Sequence, residues 1–247
     1  MTAAQAIRPR FKAVLFDLDD TLFDHQWHRR EALRAVHSAA GLPSNVTVPQ
    51  LENSHEAHLQ RTHTLWLAGA MTIEEARAER LTATLRDAGI DPSDGDVRRL
   101  EGVYRAAYDT ERRMVQGAEA LLDALKAAGL WIGIITNGGS AEQRAKIAGL
   151  GLRRWVDGIF ISAEMGCEKP SAEFFGQALR AAGVQPGECM VVGDLWQTDI
   201  EGALAAGCEA IWLNRYGRTC GPHTRVMEVV GLEPLGGLLA HLGASQA

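Results

Sequence analysis

Lys12-Ala13-Val14-Leu15-Phe16-Asp17-Leu18-Asp19-Asp20-Thr21-Leu22-Phe23-Asp24 is the stretch that decides the fold. Residues 12–18 form a short apolar run rich in strand formers, bounded by acids and a threonine, and predict a buried strand. The carboxylates cluster where the apolar run stops, so the strand carries charge to its own C-terminal end. Directly afterwards the texture changes. Residues 24–112 are rich in Ala, Arg, Glu and Leu at helical spacing. They predict helices near 25–40, 48–68, 72–88 and 94–112, punctuated by Gly41, Pro43, Gly69, Gly89 and Pro92. Thr72-Ile73-Glu74-Glu75 has the form of a capping box that opens the third of them.

From Gly117 the pattern alternates. A helix is expected at 118–128, a strand at 130–136 (LWIGIIT), a helix at 140–149 and a strand at 158–162. A helix at 171–182, a strand at 189–193, a helix at 198–206 and a strand at 209–214 follow, then a strand at 226–230 and a helix at 234–242. Strands alternating with helices imply an α/β fold, a doubly wound parallel sheet with helices on both faces. The chain thus divides into an α/β core, residues 1–23 and 113–247, and an inserted all-helical domain, residues 24–112.

Composition narrows the function classes. Of 247 residues, 46% are hydrophobic and 23% charged, enough apolar material for a packed core. Lys and Arg total 25 against 31 Asp and Glu, and there is no basic run, which argues against nucleic-acid binding. No apolar stretch approaches the ~20 residues that cross a bilayer, so no membrane partner is expected. The N-terminal MTAAQAIRPR lacks a following hydrophobic region of signal-peptide length, and a soluble cytoplasmic protein is the expectation. Cys167, Cys189, Cys208 and Cys220 form no CxxC pair and are expected to be buried reduced thiols.

Ligands of open parallel sheets bind beyond the carboxyl ends of the strands. The first strand ends in Asp17, Asp19, Asp20 and Thr21, and the second in Thr136 and Asn137 before Gly138 and Gly139. Glu168, Lys169 and Pro170 follow the third, and Gly193, Asp194 and Asp199 follow the fourth. Gathered carboxylates repel one another unless a cation or protons intervene. Mg²⁺ suits such a site, because it binds one or two carboxylates and keeps waters or phosphate oxygens in its remaining positions. A carboxylate next to a neutralised phosphate can act as a nucleophile.

FDLDDTLFD (16–24), TNG (136–138), EKP (168–170) and GDLWQTD (193–199) together resemble the four ordered motifs of the haloacid dehalogenase superfamily. The helical insertion is similar to the cap of the subfamily that carries it between the first two motifs. The resemblance implies that Asp17 is the nucleophile and accepts a phosphoryl group. Asp19 would protonate the leaving oxygen and then deprotonate the hydrolytic water. Asp17, the backbone carbonyl of Asp19, and Asp194 would hold Mg²⁺, with Asp199 an outer ligand or a residue that orients metal-bound water. Thr136 and the amide of Asn137 would bind phosphoryl oxygens, helped by the helix beginning near Ser140, and Lys169 would neutralise Asp17. An acid at Asp19 favours phosphatases and phosphomutases over dehalogenases, whose halide leaving group needs no proton. Asp20 stands where Gly is frequent.

Other residues read more plainly. His55, His58 and His63 lack the i, i+4 spacing of a zinc helix and are expected on a solvated polar face. His25, Trp27 and His28 are expected in helix packing, with contact to a leaving group as the alternative. Trp66 is expected in the cap core and Trp196 at the wall of the site. The substrate expected is a small phosphorylated metabolite. A nucleoside 5'-monophosphate comes first, from a resemblance to nucleotidases carried by FDLDDTLFDH, LWLAGAMTIEEARAERL, GIITNG and WLNRYG. A sugar or sugar-acid phosphate, of N-acylneuraminate-9-phosphate or phosphoglycolate type, comes second, and flavin mononucleotide third. A phosphomutase would use the same Asp17 and Asp19. A signalling receiver domain is disfavoured, because its phosphoacceptor lies on a middle strand and it has no helical insertion.

Overall fold

β1 (Ala13–Phe16) is four residues long and buried throughout, as befits a central strand covered on both faces. The computed structural model describes residues 10–67, 69–110, 112–220 and 224–244. Around β1 stand β2 (Trp131–Thr136), β3 (Gly158–Ile161), β4 (Cys189–Gly193), β5 (Glu209–Leu213) and β6 (Val226–Val229). All pair in parallel, in the order β3-β2-β1-β4-β5-β6. The chain winds outward from β1 to β3, then restarts beside β1 with β4 and winds the other way. The reversal puts the switch point between the ends of β1 and β4, where ligands of such sheets bind. Phe16 pairs with Ile134 on one side and Val192 on the other. The Asp17 amide donates to the Val192 carbonyl at 2.9 Å, so Asp17 leaves the sheet at this switch point.

Alternate residues build the two covers. Ala13, Leu15, Val191, Ala210 and Trp212 pack with Phe174, Phe175 and Ala178 of α8 (Ala172–Ala182) and with Ala203 of α9 (Glu201–Ala205). Val14, Phe16, Ile134, Met190, Val192 and Ile211 are buried as well, the period-two signature of a sheet with two dry faces. α5 (Ala118–Ala127) lies against β2, and α10 (Leu235–Leu242) lies against α5. Each fully buried Leu or Phe contributes about 1.5–3 kcal/mol of transfer free energy. The strand ends are therefore mounted on the stiffest part of the molecule.

Two elements depart from the sequence reading. The helix expected from 198 starts two residues earlier, as a wide π-type turn over Trp196–Ile200, before α9. Within that turn the Asp199 carboxylate folds back to accept from the Leu195 amide at 3.0 Å. A side chain that satisfies backbone in this way competes with regular helical bonding. β3 stops at Ile161 because a short helix, α7 (Ser162–Met165), starts immediately. Cys189 and Cys208 are buried, but Cys167 is half-buried and Cys220 exposed, correcting the expectation for those two; all are free thiols.

Residues 25–111 form a separate compact unit, and residues up to Asp24 belong with those from Arg112 onward. Asp24 is anchored in the α/β unit by its ion pairs to Arg215 (3.0 Å) and Arg113 (3.3 Å). The helical unit contains α1 (His25–Ala39), α2 (Val48–Leu67), α3 (Ile73–Asp87) and α4 (Asp94–Tyr108). Its core is Leu33, Val36, Leu42, Leu51, Leu81, Leu85 and Leu100. The capping box at Thr72 and Glu75 is present, with bonds of 2.7 and 3.1 Å, and Ser93 with Asp96 opens α4 in the same way.

Polar side chains are also buried in this unit: His28, Arg29, Glu52, His55 and Thr62. His55 thus corrects the expectation of a solvated face. It stacks on Tyr104 at 5.4 Å, and burial, reinforced by Arg80 and Arg29, holds its imidazole well below the usual histidine range. His58 bonds Asp87 at 2.8 Å, and the His63 side chain lies outside the described residues. His25 and His28 both bond Tyr108, at 2.5 and 3.1 Å, and Trp27 packs edge-on against His28. Trp66 is half-buried. No helix among the described residues is long and apolar enough to cross a membrane.

Candidate active site

The strand ends converge on Lys169. Its Nζ lies 2.6 Å from Oδ1 of Asp17 and 2.7 Å from Oδ1 of Asp199, and all three groups are buried. Asp194, at the end of β4, completes a cluster in which one carboxylate oxygen each from Asp17, Asp194 and Asp199 lies within 4.8 Å of the others. Among the described residues this is the one group of three such side chains that could hold a metal ion. Gly193 makes the approach possible, since a Cβ there would sit 2.5 Å from Asp199.

Burial dominates the electrostatics. It pushes the Asp17 carboxyl up to about 7, against the pull of Lys169 and with added repulsion from Asp199. Burial, then Asp17 and Asp199, likewise hold Asp194 well above the carboxylate range. For Lys169, burial disfavours the ammonium, but Asp17 and Asp199 outweigh it and the pKa rises. One ammonium among three dry carboxylates leaves net negative charge, and a hard divalent cation fits that deficit. Mg²⁺ is compatible with this all-oxygen donor set, and Asp17, Asp194 and Asp199 are the side chains that would hold it.

The remaining residues from the sequence reading lie around this centre. Thr136, buried at the end of β2, accepts from Gln143 Nε2 at 2.6 Å. Asn137 uses its side chain as a clasp. It donates to the Lys169 carbonyl at 3.0 Å and accepts from the Lys169 amide at 2.9 Å, fixing the loop that carries the lysine. The Asp19 carboxylate does not join the acidic trio. It points to α6 (Ser140–Gly149), where Lys146 and Gln143 bond it at 2.7 and 2.8 Å. The ligand expected from Asp19 is its backbone carbonyl, not this carboxylate.

Asp20 has φ 60, the left-handed region that glycine enters without strain, which accounts for the frequent Gly there. The Asp20 amide donates to the Phe23 carbonyl at 2.7 Å, closing the turn after Asp19. Trp196 packs edge-on against Trp212 at 5.0 Å.

Four contributors escaped the sequence reading. Gln143 and Lys146 sit on a helix and carry no motif; their three-residue spacing behind TNG is the signal that would have found them. Arg218 reaches Asp194 at 3.3 Å, and Arg215 pairs with Asp24. Both lie in or beside WLNRYG, which carries basic residues just after a strand end.

The switch point of the parallel sheet thus gathers three carboxylates around one buried lysine. The chain matches the haloacid dehalogenase-like hydrolase family over residues 11–207 and belongs to that family. It is 30% identical over 210 residues to the HAD-hydrolase YfnB of Bacillus subtilis, covering 83% of this chain and 85% of YfnB. The magnesium-bound crystal structure of YfnB superposes with a TM-score of 0.73 at 28% identity, over 93% of this chain and 99% of that one. Human N-acylneuraminate-9-phosphatase is 36% identical over 257 residues, 92% of this chain and 94% of its own. The pyrimidine 5'-nucleotidase YjjG of Escherichia coli is 41% identical over 103 residues, 41% and 45% of the two chains.

Proposed function

We propose that this enzyme hydrolyses phosphomonoesters of a small metabolite through an aspartyl phosphate on Asp17, with Mg²⁺ as cofactor. The observation that carries the reading is the buried contact of Asp17 with Lys169 at 2.6 Å, with a second carboxylate, Asp19, two residues on. Asp17 Oδ attacks phosphorus while the ester P–O bond breaks, and Asp19 gives its proton to the leaving oxygen. Water then attacks phosphorus, its proton passes to Asp19, and phosphate leaves with the Asp17 carboxylate restored. A positioned acid/base of this kind contributes ~10²–10⁴-fold. Thr136 and the Asn137 amide bind phosphoryl oxygens, and Lys169 offsets their charge. Asp17, Asp194, Asp199 and the Asp19 carbonyl would hold Mg²⁺, which would supply Lewis-acid stabilisation of charge on the phosphoryl group.

The inserted helical unit acts as the cap that selects the ester. A nucleoside 5'-monophosphate is the first reading, supported by the nucleotidase-like motifs and the pyrimidine nucleotidase match. A sugar-acid phosphate is the second, favoured by the near full-length similarity to an N-acylneuraminate-9-phosphatase. Phosphate release from nucleoside monophosphates, N-acylneuraminate 9-phosphate, phosphoglycolate and flavin mononucleotide, with Mg²⁺ and with EDTA, tests both. Metal-dependent release with one favoured ester supports the reading. Turnover that survives full chelation, or that needs a bisphosphate activator as a mutase does, overturns it.

A further inference from the structure

Two buried side chains of α6 take no part in the chemistry proposed above, yet both are turned onto Asp19. Lys146 Nζ lies 2.7 Å from Oδ1 and 3.0 Å from Oδ2 of Asp19. Gln143 Nε2 donates to Asp19 Oδ2 at 2.8 Å, and lies 2.6 Å from Thr136 Oγ1 and 3.1 Å from the Asn137 carbonyl. Three residues apart on one helix, the two project to the same side. The Lys146 ammonium also lies over the Phe23 ring at 5.4 Å and 3.6 Å from Glu142, and the side chain is buried.

Such an arrangement is costly as mere scaffolding. Ordering a Lys or Gln side chain costs rotamer entropy, and burying an ammonium costs more unless it is paired. A leucine or methionine at either position would be buried at lower cost. What the pair gives instead is a fixed carboxylate. Asp19 lies in the turn after β1, bridged to Phe23, and is partly exposed. Gln143 also binds Thr136, so proton donor and phosphoryl-binding hydroxyl share one support.

We propose that Gln143 and Lys146 are positioning residues: together they hold the Asp19 carboxyl in register with the phosphoryl group bound at Thr136. The inference rests on the reading of Asp19 as the acid that protonates the leaving oxygen. An error of about 1 Å in such a group costs on the order of 10²-fold in rate.

The test is kcat/KM across substituted phenyl phosphates, from p-nitrophenyl, which needs no proton to leave, to unsubstituted phenyl, which does. It is made on Mg²⁺-loaded enzyme for wild type, Lys146→Met, Gln143→Leu, Lys146→Arg and Gln143→Asn. The expected result for Lys146→Met is a loss of about 10- to 100-fold on phenyl phosphate and under about 3-fold on p-nitrophenyl phosphate, with KM little changed. Gln143→Leu, which also releases Thr136, should add a loss common to both esters while keeping the larger loss on phenyl phosphate. Lys146→Arg, which keeps the charge and the reach, should recover most of the loss, whereas Gln143→Asn, one methylene short, should not. The last two variants preserve polarity, so they report even if the apolar ones unfold on heating. Equal loss on all esters, or a change confined to KM, overturns the proposal. If wild type releases phosphate from neither the natural esters nor any aryl phosphate, the phosphatase reading fails first, visibly before any variant is compared; if it cleaves a natural ester alone, the variants are compared on that ester, whose alkoxide needs a proton to leave, and an unchanged rate overturns the proposal.

Discussion

The α/β unit and the helical unit bury polar groups in different settings. Among the described residues of the α/β unit, buried charges are gathered about a few partners: Asp17 and Asp199 on Lys169, Asp24 on two arginines, Lys146 on Asp19. In the helical unit they are dispersed: Arg29 pairs with Glu56, Glu52 with Arg30, and His55 lies against the Tyr104 ring. Buried side-chain atoms without a hydrogen bond occur in both units, Thr21 Oγ1 in the first and Arg29 Nε and His55 Nδ1 in the second. The comparison supports the proposed division of labour, chemistry in the first unit and choice of ester in the second.

The largest expected effect attacks the first half of that comparison. Asp17→Asn should lower kcat by at least about 10⁴-fold, since loss of a nucleophile removes a whole reaction path. The melting temperature should not fall, because the change removes a desolvated charge. Chelation with EDTA comes next. It should lower turnover by at least about 10²-fold, restored by Mg²⁺. The second half is sharpened by Arg29→Met and His55→Phe. These should leave kcat on p-nitrophenyl phosphate within about 3-fold while shifting the preference between two natural esters by about 10-fold, the scale of a lost contact of about 1.4 kcal/mol. An unchanged preference in both variants would break the proposed division of labour.

A smaller effect concerns stability and pH. The Asp17 and Asp194 carboxyls are raised by burial. A carboxyl whose folded pKa is raised contributes stability at low pH that is lost as pH climbs through the folded value, about 7 for Asp17. Thermal unfolding of the metal-free protein should therefore come at lower temperature at pH 8 than at pH 6. The gap should narrow with Mg²⁺ and in Asp194→Asn. The smallest effect is in the helical unit, where Thr72→Ala removes a capping box for about 1 kcal/mol, measurable by denaturant titration with activity retained.

What was legible in the sequence follows the same division. Strands and their polar ends could be read because a buried parallel strand is a near-continuous apolar run, and its terminal residue is fixed by topology. Asp17, Thr136 and Asp194 stand at strand ends where that reading puts them, while Lys169 follows α7 and is read from the order of the motifs. Gln143 and Lys146 were not, because a Gln and a Lys on a helix look like a solvated face until the helix is docked. The sequence reading puts ordinary helix from 198 and no turn at Trp196, because nothing local announces that Asp199 will fold back toward Lys169. His55 was misread for the mirror reason: a polar residue on a helix rich in polar residues gave no sign of the Tyr104 ring that covers it.

The central claim is covalent phosphorylation of Asp17, and chemical trapping tests it most directly. Enzyme quenched during turnover and reduced with borohydride should carry homoserine in place of Asp17, detected by peptide mass spectrometry, and Asp17→Asn should yield none. Reduction at another carboxylate, or no reduction at all while phosphate is being released at the wild-type rate, would contradict the account.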